Sequence, residues 1–158
     1  MTRPGGHDAI VRLPFATVGL RVGDNAIERI EFLPPGTAEL AATNPLAQQT
    51  VAALRAYADN PRYRFDLPLR LQGTVFQQRV WAALQTLESG QTISYGELAA
   101  RLGSGARAVG NACRHNPIPL IVPCHRVVAK HGLGGFAGDR SGGWTEIKQR
   151  LLRHEGVC

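Results

Sequence analysis

The sequence predicts an α/β protein of the α+β class, with a strand-rich N-terminal domain over residues 1–70 and a helical C-terminal domain over residues 71–158. Two patterns predict this division. The first third of the chain contains short runs of β-branched and aromatic residues bounded by turn residues, which is typical of strands. The second half contains apolar residues at helical spacing, with capping residues before each run. A chain of 158 residues is long enough for one large domain or two small ones.

The N-terminal domain is expected to contain an antiparallel sheet and one helix. Strands are predicted over residues 9–15, 17–22 and 27–33, and Gly23-Asp24-Asn25 reads as a hairpin turn between the last two. Asn44 followed by Pro45 predicts the start of a helix. Its buried stripe would contain four residues: Leu46, Ala53, Leu54 and Tyr57. Residues 63–69 are a candidate fourth strand.

The C-terminal domain is expected to contain a helix-turn-helix. Capping-box patterns at residues 74–77 and 94–97 predict helices that run to about residues 87 and 102. A glycine turn at residues 103–105 then precedes a helix over residues 106–115. A last helix is predicted near the end of the chain, with a buried stripe of three residues: Ile147, Leu151 and Leu152.

The helix over residues 106–115 has two contrasting faces. Val109, Ala112 and Cys113 lie at i, i+3 and i+4, so Cys113 is expected to be a core thiol. The opposite face has two arginines with little bulk between them: Arg107, Gly110, Asn111 and Arg114. A face this slim can bring the helix backbone close to another surface, such as a minor groove. A solvated face does not account for the glycine, which costs about 1 kcal/mol in a helix interior.

Basic residues are concentrated in the second part of the chain. Residues 1–90 hold nine basic and eight acidic side chains, a net of +1, whereas residues 91–158 hold nine and four, a net of +5. No acid lies between Glu97 and Asp139, a span with five basic residues: Arg101, Arg107, Arg114, Arg126 and Lys130. Such a field attracts polyanions such as nucleic acid, although a solubilising surface is the alternative. Its confinement to one segment favours a nucleic-acid-binding face.

The stretch Ile121-Val122-Pro123-Cys124-His125-Arg126-Val127 places a thiol beside an imidazole after an apolar run. A free cysteine has a pKa of about 8.5, so little thiolate exists at neutral pH. His125 would accept the proton, and the positive neighbours Arg126 and Lys130 would favour the thiolate. An acid is needed to orient His125, and Glu155 is the candidate.

Several interpretations of this stretch remain open from the residues alone. A metal cluster would draw on Cys113, His115, Cys124, His125 and His131, but the spacings are not those of usual zinc sites. A cysteine hydrolase needs a cysteine, a histidine and an oxyanion hole. A buried core thiol is the default for a lone cysteine. We expect no metal and no cofactor. With no secretory signal or membrane span evident, we expect a cytoplasmic chain with reduced cysteines.

The segment Pro123-Cys124-His125-Arg126-Val127 resembles the signature of the O6-alkylguanine-DNA alkyltransferases, also called methylated-DNA–protein-cysteine methyltransferases. Five further blocks between residues 73 and 156 resemble the family in the same order: Gly73-Thr74-x-Phe76-Gln77-x-x-Val80-Trp81, Ser94-Tyr95-Gly96-x-Leu98-Ala99, Ala106-Arg107-Ala108-Val109-Gly110-x-Ala112, Asn116-Pro117, and Leu151-Leu152-Arg153-His154-Glu155-Gly156. The resemblance implies a ribonuclease H-like N-terminal domain and a winged helix-turn-helix-like DNA-binding motif. Residues 139–144 read as an insertion relative to the family.

The resemblance implies DNA repair by direct reversal. Cys124 would take the alkyl group from O6-alkylguanine in a single turnover, and O4-alkylthymine is a further candidate substrate. His125 would receive the thiol proton through a water, and Glu155 would hold His125. Asn116 would fix the active-site turn, and Tyr95 would donate a proton or hydrogen bond to the departing guanine.

The resemblance also implies how DNA is held. Arg107 would fill the stack after the damaged base has flipped out, and backbone groups of Val127 and Ala137 would hold the guanine edge. The other expected DNA contacts are Ala106, Gly110, Arg114, Tyr95, Gly96 and Lys130. The implied partner is double-stranded DNA that contains O6-alkylguanine, and we expect a monomer with no membrane partner. The alternatives are a non-catalytic protein that binds alkyl lesions and a helix-turn-helix regulator.

Overall fold

The computed structural model describes residues 6–130 and 143–157. These residues fall into two compact units, of which the first ends at Leu71 and the second begins at Gln72. The first unit combines a small sheet with one helix, and the second is mainly helical. The predicted α+β class is confirmed.

The sheet of the first unit has three antiparallel strands that pair in chain order. They are β1 (Ala9–Arg12), β2 (Thr17–Val22) and β3 (Ile27–Leu33). The predicted turn closes through a 2.8 Å hydrogen bond from Gly23 N to Ala26 O. The candidate strand over residues 63–69 does not form, because only Leu69 pairs with the sheet, in an isolated bridge to Ile27.

One α-helix in the described part of the first unit, α1 (Pro45–Asp59), packs against the first two strands. Asn44 caps it as predicted, since its side-chain oxygen accepts hydrogen bonds from two backbone N–H groups of the first turn. The buried residues of the helix are Ala47, Thr50, Ala53, Leu54 and Tyr57. Leu46 is only half-buried, and Ala47 takes the core position at this end of the helix.

The second unit contains four α-helices, a 3₁₀ turn over Cys124–Arg126 and two very short parallel strands among the described residues. The elements are α2 (Val75–Leu84), β4 (Ile93–Ser94), α3 (Tyr95–Leu102), α4 (Ala106–Arg114), β5 (Val127–Val128) and α5 (Gly143–His154). The predicted capping box of Thr74 and Gln77 is present at the start of α2. Trp81 on α2 donates a 2.9 Å hydrogen bond to the Ala112 carbonyl, which joins α2 to α4.

The predicted helix-turn-helix consists of α3 and α4. Ser94 caps α3, and Gly103 ends it with a φ of 67°, a left-handed conformation that suits glycine. The inward face of α4 is buried as expected, at Val109, Ala112 and Cys113. The chain reversal at the glycine therefore leaves the opposite face of α4 towards solvent.

The last helix, α5, begins at Gly143, so two residues of the expected insertion at 139–144 belong to it. The rest of that insertion lies outside the described residues. Within the described parts of the chain, no helix is long and apolar enough to cross a membrane.

Candidate active site

A buried turn between α4 and β5 carries Cys124. Residues 118–127 are all buried. Asn116 spans the base of this turn, because its Nδ2 donates to the Val122 carbonyl at 2.8 Å and its Oδ1 accepts from the Ile118 N–H at 3.0 Å. Leu120 has a φ of 76°, a conformation that non-glycine residues rarely adopt. The two Asn116 hydrogen bonds therefore stabilise a tight, strained turn that leads into Cys124.

The Cys124 thiol is protonated at rest. Only 5% of this residue is exposed, and burial raises the pKa of its thiol. A hydrogen bond from the Asn116 side chain and the positive charge of Lys148 act in the opposite direction, but burial dominates. A nearby base is therefore required if Cys124 is to act as a nucleophile.

His125 has the protonation state expected of such a base. Its Nε2 lies 2.9 Å from Oε2 of Glu155, and a carboxylate only accepts hydrogen bonds, so Nε2 carries the proton. Burial lowers the pKa of His125, and the opposing effect of Glu155 does not overcome it. Its Nδ1 is buried and has no hydrogen-bond partner among the residues that the structure describes. The imidazole is therefore neutral, with the lone pair of Nδ1 available to accept a proton.

Arg126 faces Glu155 and not the thiol. Its Nε donates to Oε1 at 2.9 Å and its Nη2 donates to Oε2 at 2.8 Å, while Nη1 donates to the Leu87 carbonyl at 2.7 Å. Lys130 is exposed. The expectation that Arg126 and Lys130 favour the thiolate is therefore wrong in its choice of cations: among the described residues, Lys148 is the cation whose charge lowers the pKa of Cys124.

Lys148 is a site residue that the sequence pattern did not indicate. It is fully buried, and its Nζ donates a 2.8 Å hydrogen bond to the Val127 carbonyl. The same Nζ lies 5.6 Å from the centroid of the Tyr95 ring, within the range of a cation–π interaction. Burial lowers the pKa of Lys148 to about 8, against the opposing effect of the two neighbouring thiols. A signal was present, since Lys148 lies three and four residues before Leu151 and Leu152 and thus on the buried face of α5.

Replacing Lys148 by methionine is expected to slow the reaction of Cys124 with iodoacetamide about tenfold at pH 7, which corresponds to a rise of about one unit in the thiol pKa. The reason is that the thiolate loses a nearby positive charge. Above about pH 8 the difference should narrow, because Lys148 is then neutral in the unmodified protein as well. Peptide mass spectrometry over a pH series measures the rate at Cys124.

The matched control is Lys130→Met, which removes an exposed cation from the same unit. Its effect on the rate should be smaller than about twofold. Equal effects of the two substitutions would contradict the role of Lys148.

The structure brings Tyr95 to the same site from α3. Tyr95 is the first residue of that helix and is half-buried. A methyl group built on Gly110 of α4 would lie 3.9 Å from its ring, so Tyr95 lies against α4. Lys148 contacts both the Tyr95 ring and the Val127 carbonyl. Tyr95, Val127 and Lys148 therefore form one continuous group.

The expected DNA-contact residues lie mostly at the surface. The exposed ones are Gly96, Ala106, Arg107, Arg114 and Lys130, and the half-buried ones are Tyr95 and Gly110. Of the five basic residues between Glu97 and Asp139, only Arg126 is buried, and its charge is balanced by Glu155. Ala137 lies outside the described residues.

The residues of the conceivable metal cluster do not come together in the described part of the chain. No three His, Cys, Asp or Glu side chains are grouped there as metal ligands. His115 is exposed, and its Nδ1 lies 2.8 Å from the Asn111 carbonyl. Cys113 and Cys124 are free cysteines, and His131 lies outside the described residues.

Comparison with known proteins gives consistent matches. The family model described as "6-O-methylguanine DNA methyltransferase, DNA binding domain" matches residues 75–157. A methylated-DNA–protein-cysteine methyltransferase of Mycolicibacterium paratuberculosis is 48% identical over 108 residues, which are 66% of this chain and 62% of that protein. One of Shigella flexneri is 42% identical over 131 residues, which are 80% of this chain and 72% of that protein.

A solved structure is also similar. The crystal structure of Mycobacterium tuberculosis OGT in complex with DNA has a TM-score of 0.73 at 38% identity, and the match covers 92% of this chain and 90% of that one. The family suggested by the five sequence blocks is thus confirmed. This chain belongs to the 6-O-methylguanine DNA methyltransferase family.

Proposed function

We propose that this chain repairs DNA by transferring a methyl or larger alkyl group from O6 of guanine in double-stranded DNA to Sγ of Cys124. The observation that carries the proposal is the arrangement at Cys124, where a buried thiol precedes a neutral imidazole in the chain and feels the charge of a buried ammonium group. The same unit presents an exposed basic helix. The names of the relatives, methylated-DNA–protein-cysteine methyltransferases, support the same reaction.

In the proposed reaction, Cys124 loses its proton to Nδ1 of His125 through a water molecule. Glu155 stabilises the imidazolium that forms, because its carboxylate accepts a hydrogen bond from the Nε2–H group. The thiolate then attacks the alkyl carbon in line, so that an S–C bond forms while the C–O6 bond breaks. The electron pair of that bond leaves with the guanine. Tyr95 donates a hydrogen bond or a proton to the departing base, whose developing charge it stabilises.

The burial of Cys124 requires that the damaged base leave the DNA stack. Flipping a nucleotide out of a duplex costs a few kcal/mol, and a side chain inserted into the gap offsets part of this. Arg107 suits that role, because it is exposed in the first turn of α4. Val127 and Ala137 would hold the base edge through backbone groups. The other proposed contacts lie on the exposed or half-buried surface: Gly96, Ala106, Gly110, Arg114 and Lys130.

Each molecule is proposed to act once. The product is a thioether, which is a poor leaving group. Cys113 is a poor second nucleophile, because burial raises the pKa of its thiol far above the usual range. The proposal places the reaction in the reducing cytoplasm, where the acceptor remains a thiol. It treats the chain as a monomer, since one chain supplies every group named above.

Replacing Gly110 by alanine is expected to stabilise the fold but to weaken DNA binding. A methyl group there meets the Tyr95 ring at 3.9 Å, which is ordinary contact, and alanine favours a helix by about 0.5–1 kcal/mol over glycine. The added bulk would hold α4 away from the minor groove and lower affinity for duplex DNA about tenfold. Urea unfolding and fluorescence anisotropy measure the two effects.

The control is Gln49→Ala, an exposed change on α1 of the first unit, which should leave DNA affinity unaltered. A Gly110→Ala variant with unaltered DNA affinity would remove the slim face of α4 from the proposed interface.

The proposed function is tested by incubating the protein with a duplex that contains one O6-methylguanine and by measuring the lesion that remains in the digested DNA. The expected result is a loss that stops at one lesion for each protein molecule. Binding without loss would favour a lesion-binding protein, and binding with no preference for the lesion would favour a regulator. Removal of more than one O6-methylguanine by each protein molecule would contradict the proposal that each molecule acts once.

A further inference from the structure

A compact group of charges surrounds His125. Glu155 faces its Nε2 directly, and among the described residues the charges of Arg126 and Lys148 lower its pKa. Cys124 precedes it in the chain. Three of these groups, Arg126, Glu155 and Lys148, are buried, so their charges are weakly screened by solvent.

Two described neighbours, Arg126 and His125, hold the Glu155 carboxylate. Its Oε1 accepts from Arg126 Nε, and its Oε2 accepts from both Arg126 Nη2 and His125 Nε2. The guanidinium is itself anchored at the opposite end by the Leu87 carbonyl. Because a two-bond contact between arginine and a carboxylate fixes both planes, Oε2 is held in the direction of the imidazole.

The charge balance of this group decides the state of His125. Glu155 alone would form a neutral ion pair with a protonated imidazole, which would favour the charged form. Arg126 already neutralises Glu155. A proton on Nδ1 would therefore add an uncompensated positive charge to a buried site, where Lys148 lies nearby as well.

We propose that Arg126 is a positioning residue for alkyl transfer: by holding and neutralising Glu155, it keeps His125 a neutral base with its lone pair on Nδ1. Arg126 touches neither Cys124 nor the transferred group in this role and acts through Glu155 and His125. The relevance to alkyl transfer rests on the proposed function. The effect on His125 does not, since it is a property of the protein alone.

The test measures the titration of the His125 ring by NMR in the full chain, together with the rate of Cys124 alkylation by iodoacetamide against pH. In Arg126→Met, the His125 midpoint should rise by at least about one pH unit, and the acid limb of the rate profile should move with it. In Arg126→Lys, which keeps the charge but not the two-bond geometry, the rise should be smaller. The control is Arg153→Met, which removes an exposed arginine of α5 and should move neither midpoint.

A merely structural role gives a different pattern. A folded Arg126 variant whose rate falls equally at every pH, with the His125 midpoint unmoved, overturns the proposal. If Arg126→Met does not fold, the shift in Arg126→Lys decides the question. If neither variant folds, Arg126 has a structural role only. These outcomes use no DNA, so they are distinct from a failure of alkyl transfer from O6-methylguanine.

Discussion

Replacing Cys124 by serine is expected to reduce alkyl transfer from duplex O6-methylguanine by at least about a thousandfold. A hydroxyl is a far weaker nucleophile than a thiol at neutral pH, and the burial that raises the pKa of Cys124 would disfavour an alkoxide still more. Affinity for the DNA should be retained, because the exposed residues of α4 are unchanged. Single-turnover kinetics and an affinity measurement on the same duplex separate the two.

The matched control is Cys113→Ala, which removes the other described free thiol. Transfer should remain within about threefold of the unmodified rate, because the pKa of Cys113 is too high for a role as acceptor. Transfer that survives in Cys124→Ser but is lost in Cys113→Ala would reverse the assignment.

Replacing Glu155 by glutamine is expected to affect both stability and rate. Arg126 would become a buried charge without its carboxylate, so the free energy of unfolding should fall by about 3–5 kcal/mol. The glutamine amide can donate to Nε2 of His125, which would shift the imidazole proton to Nδ1. The wrong tautomer should slow alkyl transfer by about a hundredfold or more. Urea unfolding and single-turnover kinetics at low temperature measure these changes.

Glu146→Gln provides the control, because Glu146 is an exposed acid on α5 that pairs with Arg150 at 3.5 Å. Exposed pairs contribute little, so stability should change by less than about 1 kcal/mol. Similar losses of stability in the two variants would mean that the buried contacts of Glu155 contribute no more to the free energy of unfolding than the exposed pair of Glu146 does.

Local sequence signals predicted many of the secondary-structure elements. Asn44 and Thr74 cap helices as their side chains indicate, since capping depends on residues within one turn. Strand β2 and helix α3 have the expected bounds. The candidate strand at residues 63–69 failed because a strand requires a partner edge, and only Leu69 finds one.

The directions of long charged side chains could not be predicted from the sequence. Arg126 lies in a basic segment, which suggests a surface position, but its guanidinium turns inward to Glu155, 29 residues further along the chain. Lys148 shares the helical spacing of the buried stripe, but lysine is usually exposed, so its place in the core near Cys124 is not predicted. Both contacts depend on how α5 packs against the turn that carries Cys124, and this is set by tertiary structure.

The most direct test of the account is the identity of the atom that receives the alkyl group. The protein is incubated with a duplex that contains O6-methylguanine, digested, and mapped by peptide mass spectrometry. The account predicts one added methyl group, on Sγ of Cys124. A methyl group on Cys113 or Cys158, or no methyl group on any peptide, would contradict it.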